Sequence, residues 1–233
     1  MKLIKLILGA AALTAYALLG VPAPDVSAQP CPDVELVFAR GSGEPPGVGG
    51  VGQAFVDALT ARAGERSVAV YPVNYAASTD FGGGVDFART FVDGLRDAGG
   101  HMQATAANCP NTRIVLGGYS QGAALAGFVT SAAIPKEVPA AYVSYLPQPL
   151  PPSVANHVAA VILFGRPSNQ FLTESGAPPI RIGPQYADKT LDLCAAGDTI
   201  CNGATAAPPT IAHVGYLTNG MEGQAADYAV SRL

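Results

Sequence analysis

A chain of 233 residues with a formal net charge of −4 and only 13% charged residues carries no basic run, which excludes nucleic acid as its partner. No internal repeat or low-complexity segment occurs, and the length suits one domain with a sizeable core. The sparse charge suits a surface that meets apolar or lipidic material.

The N-terminus reads as a leader. Lys2 and Lys5 precede an uncharged apolar run, Leu6 to Leu19, and Val26-Ser27-Ala28 is a small-x-small cleavage site. Residues 1–28 are therefore expected to be a secretory signal peptide, with the mature chain starting at Gln29. The run is short for a transmembrane helix and Pro22 and Pro24 follow it, so no stable membrane span is expected. Residues 29–233 remain as a single domain of about 205 residues with 11 basic and 16 acidic side chains. Its four cysteines, Cys31, Cys109, Cys194 and Cys201, read as two disulfides in an exported chain. Of three possible pairings, Cys194–Cys201 is the natural local one, which leaves Cys31 with Cys109. No C-x-x-C pair or adjacent histidine favours zinc, so no metal is expected.

The first strand is Val34 to Phe38, and the loop Ala39-Arg40-Gly41-Ser42-Gly43-Glu44 follows it. Val48, Val51, Phe55 and Leu59 are at helical spacing. Ser67 to Tyr71 is the second strand. Gly82-Gly83-Gly84 opens a second helix with Val85, Phe91, Val92 and Leu95 on one face, and Gly99-Gly100 is expected to break or kink it. Arg113 to Leu116 is the third strand. Residues 135–153 and 165–185 are rich in proline and read as loop. Between them, Val158 to Phe164 is the most apolar strand, expected to be covered on both faces. Thr190 to Leu193 is a short strand, and roughly 213–232 is a C-terminal helix. Strands alternating with helices imply a parallel sheet with helices on both faces.

The chemistry centres on Gly118-Tyr119-Ser120-Gln121-Gly122. This is a G-x-S-x-G element between a strand and a helix, the pattern that lifts a nucleophilic serine onto a sharp turn. Side chains at positions 118 and 122 would collide with the neighbouring strand and helix. A serine hydroxyl needs a base, normally histidine, and a carboxylate to orient that base. His101 precedes the serine and His157 sits directly before an apolar strand, whereas His213 comes last, in the order Ser…Asp…His. Among the carboxylates between them, Asp198 lies inside the Cys194–Cys201 loop, where a disulfide would hold its backbone; Asp192, in a strand, is the alternative. The backbone N–H of Gln121 is one candidate donor to an oxyanion, and Ser42 is placed to be the second. Gly47-Val48-Gly49-Gly50-Val51-Gly52 matches G-x-G-x-x-G, but it starts too far from the first strand for a dinucleotide site. No cofactor is expected.

Four segments together resemble the cutinase family. They are Ala39-Arg40-Gly41-Ser42, Gly118 to Gly122, the block Asp192-Leu193-Cys194-Ala195-Ala196-Gly197-Asp198-Thr199-Ile200-Cys201, and Ala212-His213. They run in family order over nearly the whole mature chain, and the composition is most similar to the actinobacterial branch. The resemblance implies a small α/β-hydrolase, a three-layer sandwich around a mainly parallel sheet with no lid domain. It implies Ser120, Asp198 and His213 as catalytic residues and Ser42 and Gln121 as the oxyanion hole. It also supports the Cys31–Cys109 and Cys194–Cys201 pairs. The loop from Asn202 to Pro209 departs from the family in holding mostly small residues, with Ile211 the only large aliphatic side chain before His213. Phe81, Ile211 and Val214 are candidates for the substrate crevice wall. The expectation is a secreted, monomeric serine esterase acting on carboxylic esters of short to medium acyl chains, in a polyester or at a lipid interface. Two other readings keep the same residues: a surface or host-interaction module with little turnover, and an acyltransferase.

Overall fold

Five apolar runs become strands: β1 (Val34–Ala39), β2 (Val68–Pro72), β3 (Arg113–Tyr119), β4 (Val158–Phe164) and β5 (Thr190–Leu193). The structure, a computed structural model, describes residues 30–233 apart from Ala206, so the expected leader lies outside the described residues. The strands form one sheet in the order β2-β1-β3-β4-β5, and every pair is parallel. Ala39 is level with Gly118, Tyr119 with Phe164, and Phe164 with Leu193. The C-terminal ends of four strands therefore share one edge. All seven residues of β4 are buried, as its continuous apolar run requires.

Alternation along each strand divides the apolar side chains between two cores. Val37, Ala39, Ile114, Leu116, Val161 and Leu163 face one side. Leu36, Phe38, Val115, Ile162 and Phe164 face the other. The helices are α1 (Gly49–Arg62), α2 (Gly84–Asn108), α3 (Gln121–Val129), α4 (Ala140–Val143), α5 (Pro152–His157), α6 (Asn169–Glu174), α7 (Pro184–Ala187), α8 (Ile211–Val214) and α9 (Met221–Val230), with a 3₁₀ turn at Gly215–Thr218. The first core is closed by Ala98 and Met102 of α2, Leu125 and Val129 of α3, and Tyr186 of α7. The second is closed by Val51, Phe55 and Leu59 of α1 and by Ala225, Ala226 and Ala229 of α9. This is a three-layer sandwich. Disulfides join Cys31 to Cys109 and Cys194 to Cys201.

Several local readings differ from the structure for physical reasons. α2 runs for 25 residues straight through Gly99-Gly100. Gly99 is buried, with Leu150 within contact range of where its side chain would start, so tertiary packing overrides the low helical propensity of glycine. Val85 is 54% exposed rather than on the buried face. It lies in the first turn, ahead of Gly94, where the buried part of α2 begins. The proline-rich passages contain α4 to α7, helices of four to six residues, too short to show a period. Two of them begin on Pro152 and Pro184, where proline suits a helix start. The C-terminal helix is divided into α8, the 3₁₀ turn and α9, and Gly220 takes a left-handed φ of 79° ahead of α9.

Glu35, within β1, faces α2 and is held there by a polar network. Its Oε1 lies 2.9 Å from His101 Nε2, and its Oε2 accepts from Thr105 Oγ1 at 2.6 Å. The Tyr71 ring stacks on His101 at 3.4 Å, and the Tyr71 hydroxyl donates to Asp97. His101 is thus a link between β1, β2 and α2. Burial pushes the Glu35 carboxyl upward, but hydrogen bonds from His101 and Thr105 outweigh it and hold the carboxyl below its ordinary range. A carboxyl depressed in the folded state stabilises the fold above its unfolded value, and that contribution is lost as pH falls through the folded one. Urea denaturation of wild type and Glu35→Gln should therefore show the largest stability gap above pH 4.5, the ordinary glutamate value, and a shrinking gap as the medium becomes more acid.

The two kinds of glycine in α2 should respond oppositely to alanine. A Cβ at Gly100 meets nothing, whereas one at Gly94 overlaps Leu125 and crowds Tyr75. Thermal denaturation should show Gly100→Ala stabilising by about 0.5–1 kcal/mol and Gly94→Ala destabilising by about 1–3 kcal/mol.

Candidate active site

Parallel strands deliver their following loops to one edge of the sheet. The chain leaves β1 for β2 on one side and then builds β3, β4 and β5 on the other. The crevice of such a sheet opens where the order reverses, between the ends of β1 and β3. Ser42 follows β1 and Ser120 follows β3 there, while Asp198 follows β5 along the same edge.

Ser120 sits on a strained turn, with φ 54° and ψ −115°. Its N–H donates to the Phe164 carbonyl at 2.9 Å and its carbonyl accepts from Ala124 N–H at 3.0 Å, so strand and helix grip it from both sides. The flanking glycines mark backbone-to-backbone contact. A Cβ at Gly118 would overlap the backbone of Gly122 and Ala123, and one at Gly122 would overlap the carbonyls of Ala39 and Arg40. α3 therefore rests directly on β3 and on the end of β1.

His213, on α8, is brought against this turn. Its Nε2 lies 2.8 Å from Ser120 Oγ and its Nδ1 lies 2.8 Å from Asp198 Oδ2. With Nδ1–H directed at the carboxylate, Nε2 is left as the acceptor for the serine proton. Asp198 is fully buried. Its Oδ1 accepts from Ile200 N–H at 2.9 Å and its Oδ2 from the Tyr216 hydroxyl at 2.8 Å. The Cys194–Cys201 disulfide closes the loop around it, and Thr210 Oγ1, just before α8, donates to Gly197 O at 2.8 Å. Both sulfurs near Asp198 are spent in that disulfide and offer no thiolate to a metal. The Tyr119 hydroxyl donates to the His213 carbonyl at 2.6 Å. Burial, with the charges of Glu44 and Asp198 adding to it, pushes the Tyr119 hydroxyl up to about 12, which keeps it a neutral donor.

The loop carrying Ser42 is braced from below. The buried Arg40 donates to the carbonyls of Glu44 at 2.8 Å and Tyr75 at 2.7 Å, and the Tyr75 hydroxyl donates back to the Arg40 carbonyl. Glu44 accepts from Gly41 N–H at 2.6 Å and Gly50 N–H at 2.8 Å. Its carboxylate thus fills the start of α1, where the G-x-G-x-x-G stretch would have to receive a phosphate. Because the Ala39 and Arg40 carbonyls touch Gly122, the loop that carries Ser42 abuts the start of α3, where Gln121 sits. Gln121 begins α3, so its N–H has no intrahelical acceptor. Among the described residues, the Ser42 hydroxyl has no hydrogen-bond partner.

Phe81, Ile211 and Val214 are exposed, at 66%, 85% and 56%. Ile211 and Val214 flank His213 on α8. Phe81 packs on Phe87 and follows Ser78, whose carbonyl accepts from Gln121 Nε2 at 3.1 Å. The competing residues of the sequence lie elsewhere. Asp192 receives two hydrogen bonds from Arg166, at 2.8 and 2.5 Å. His157 ends α5 and lines a cavity of about 330 Å³ at the opposite, N-terminal edge of the sheet. Tyr119, Arg40 and Glu44 lie in segments singled out in the sequence but without a role there, and Tyr216 and Tyr75 were not singled out. Their one signal is spacing: Tyr119 is the residue before the elbow serine and Tyr216 lies three after His213.

A three-layer sandwich with a serine on a strand–helix elbow at the crevice defines a small α/β-hydrolase. The chain belongs to the cutinase family, whose model matches residues 30–233. It is 58% identical over 170 residues to the probable carboxylesterase Culp7 of Mycobacterium tuberculosis, covering 73% of this chain and 87% of that one. It is 45% identical over 232 residues to the carboxylesterase Culp1 of the same species, covering 97% and 94%. A Trichoderma reesei cutinase in complex with a phosphonate inhibitor superposes with a TM-score of 0.61 at 31% identity, covering 87% of this chain and 77% of that one. The protein is an ester hydrolase of cutinase type.

The contact at Gly122 yields a direct test. A Gly122→Ala side chain must push α3 off β1, and a displacement on the order of 1 Å costs about 100-fold in rate. Hydrolysis of a short p-nitrophenyl ester should fall by at least that factor, with helix and strand content by circular dichroism largely retained.

Proposed function

We propose that this protein is an exported serine esterase that cleaves carboxylic esters of short to medium acyl chains through an acyl-enzyme. The observation that carries the reading is the unbroken line from Ser120 Oγ through His213 to Asp198, with both hydrogen bonds at 2.8 Å. Ser120 attacks the ester carbonyl as His213 Nε2 takes its proton. Asp198 holds the imidazole and stabilises the imidazolium that forms. The oxyanion of the tetrahedral intermediate is received by the Gln121 N–H and by Ser42. His213 then protonates the leaving alcohol, and water, activated by the same histidine, releases the acid.

The rim supports an apolar acyl group. Phe81, Ile211 and Val214 stand exposed beside the site, and such side chains gain by covering alkyl surface. The stretch from Asn202 to Pro209 holds mostly small side chains in the sequence, which suits an ester presented in a polyester or at a lipid interface. Residues 1–28 act as the export signal and residues 29–233 as one monomeric domain; the two disulfides accord with an oxidising destination.

The test is hydrolysis of p-nitrophenyl esters of increasing chain length by the mature protein and its variants. Ser120→Ala should remove nearly all turnover, and Asp198→Asn should lower kcat by about 10⁴. Asp192→Asn should stay within about twofold of wild type, as expected for a surface ion pair. Rates should peak at short or medium chains. Equal rates for wild type and Ser120→Ala would overturn the mechanism, and export without cleavage near Ala28 would overturn the leader.

A further inference from the structure

The carboxylate of Asp198 has a second side-chain donor besides His213, and it comes from the segment that directly follows α8. Tyr216 lies in the 3₁₀ turn three residues past His213 and is fully buried. Its ring packs edge-on against Phe164 at 6.2 Å and Tyr119 at 5.7 Å. Its hydroxyl lies 2.8 Å from Asp198 Oδ2, accepts from Ala195 N–H at 3.0 Å, and is 3.4 Å from Leu193 O and 3.5 Å from Cys201 Sγ. A phenol has one proton to give. The charged oxygen at 2.8 Å is the stronger acceptor than the neutral carbonyl at 3.4 Å, so the proton is directed to Asp198.

The backbone makes room for this arrangement. Gly165, just past β4, has φ 57°, and a Cβ there would crowd both Tyr216 and the His213 ring. Burial pushes the Tyr216 hydroxyl well above the ordinary phenol range; the Ala195 N–H opposes this and the Asp198 charge adds to it. The hydroxyl therefore stays a neutral donor.

We propose that Tyr216 is a positioning residue for ester hydrolysis, its hydroxyl pinning Asp198 Oδ2 in line with His213 Nδ1 and sharing that oxygen's negative charge. This rests on the catalytic roles proposed above for Ser120, His213 and Asp198. With Ile200 N–H on Oδ1 and two donors on Oδ2, the carboxylate cannot turn without breaking a bond. Without the phenol, Oδ2 would be held only by the histidine it must orient. The ring would still fill the core, so Tyr216→Phe removes the hydrogen bond and little packing.

The experiment is a double-mutant cycle of Tyr216→Phe with Asp198→Asn, assayed on p-nitrophenyl butyrate beside Ser120→Ala. A hydrogen bond to a charged group corresponds to about a tenfold effect. Tyr216→Phe should lower kcat by that factor with KM within about twofold, and should change kcat less than about twofold when Asp198 is already Asn. In proton NMR of Tyr216→Phe alone, the downfield His213 Nδ1–H resonance should move, because its acceptor has lost a competing donor. An equal drop in both backgrounds, a lowered Tm with unchanged kcat, or an unmoved resonance would each overturn the inference while leaving the proposed chemistry standing. Full activity in Ser120→Ala would overturn both.

Discussion

The contact between Gly122 and the carbonyls of Ala39 and Arg40 is the constraint on which the rest of the structure depends. It brings a helix backbone against a strand end with no side chain between them. That closeness sets the pitch at which β3 passes into α3, and so forces Ser120 into its left-handed turn. It also brings the loop after β1 to the first N–H of α3. The strain at Ser120 persists because both of its peptide groups are tied, one to β4 and one to α3. The sheet beneath is parallel, buried on both faces at its central strands β3 and β4, and level along the edge that carries the site.

Around this contact the polar groups are arranged in two buried brackets. Arg40, Glu44 and Tyr75 stiffen the loop after β1. Tyr119 and Tyr216 stiffen the segment from Asp198 to α8, one through the histidine carbonyl and one through the carboxylate. Buried hydroxyls of this kind do not ionise near neutral pH, so they fix geometry without adding charge. The disulfide at Cys194–Cys201 does for the backbone of the Asp198 loop what Tyr216 does for its side chain.

What was legible in the sequence was what chemistry or the pleat restricts. Ser120 could be read because only glycine fits at 118 and 122. His213 stood out because it comes last in the order Ser…Asp…His, with His101 ahead of the serine and His157 directly before an apolar strand, and the structure gives those two other surroundings. The strands were legible because each is a run of apolar residues with turn signals on both sides, and β4 and β5 were delimited to the residue. Asp198 and Asp192 were harder to separate, because they are six positions apart in one short segment. Only folding turns Asp192 to Arg166 and Asp198 to His213. The break expected at Gly99-Gly100 failed because propensity is local and the Leu150 contact is not. Tyr216 left only its spacing from His213 as a trace, since a tyrosine in a helical tail otherwise looks like any core residue.

α8 is only four residues long, and it carries His213 between Ile211 and Val214. A helix so short has no stability of its own and is held by the Thr210–Gly197 and Tyr119–His213 bonds. The exposed Ile211 and Val214 and the imidazole are therefore one mechanical part. For redesign, or for divergence between relatives, the two sides of the proposed crevice are unequal. In the proposed crevice, residues 211 and 214 share a short helix with the imidazole, whereas Phe81 lies on a separate stretch, tied through Ser78 to Gln121 and not to His213.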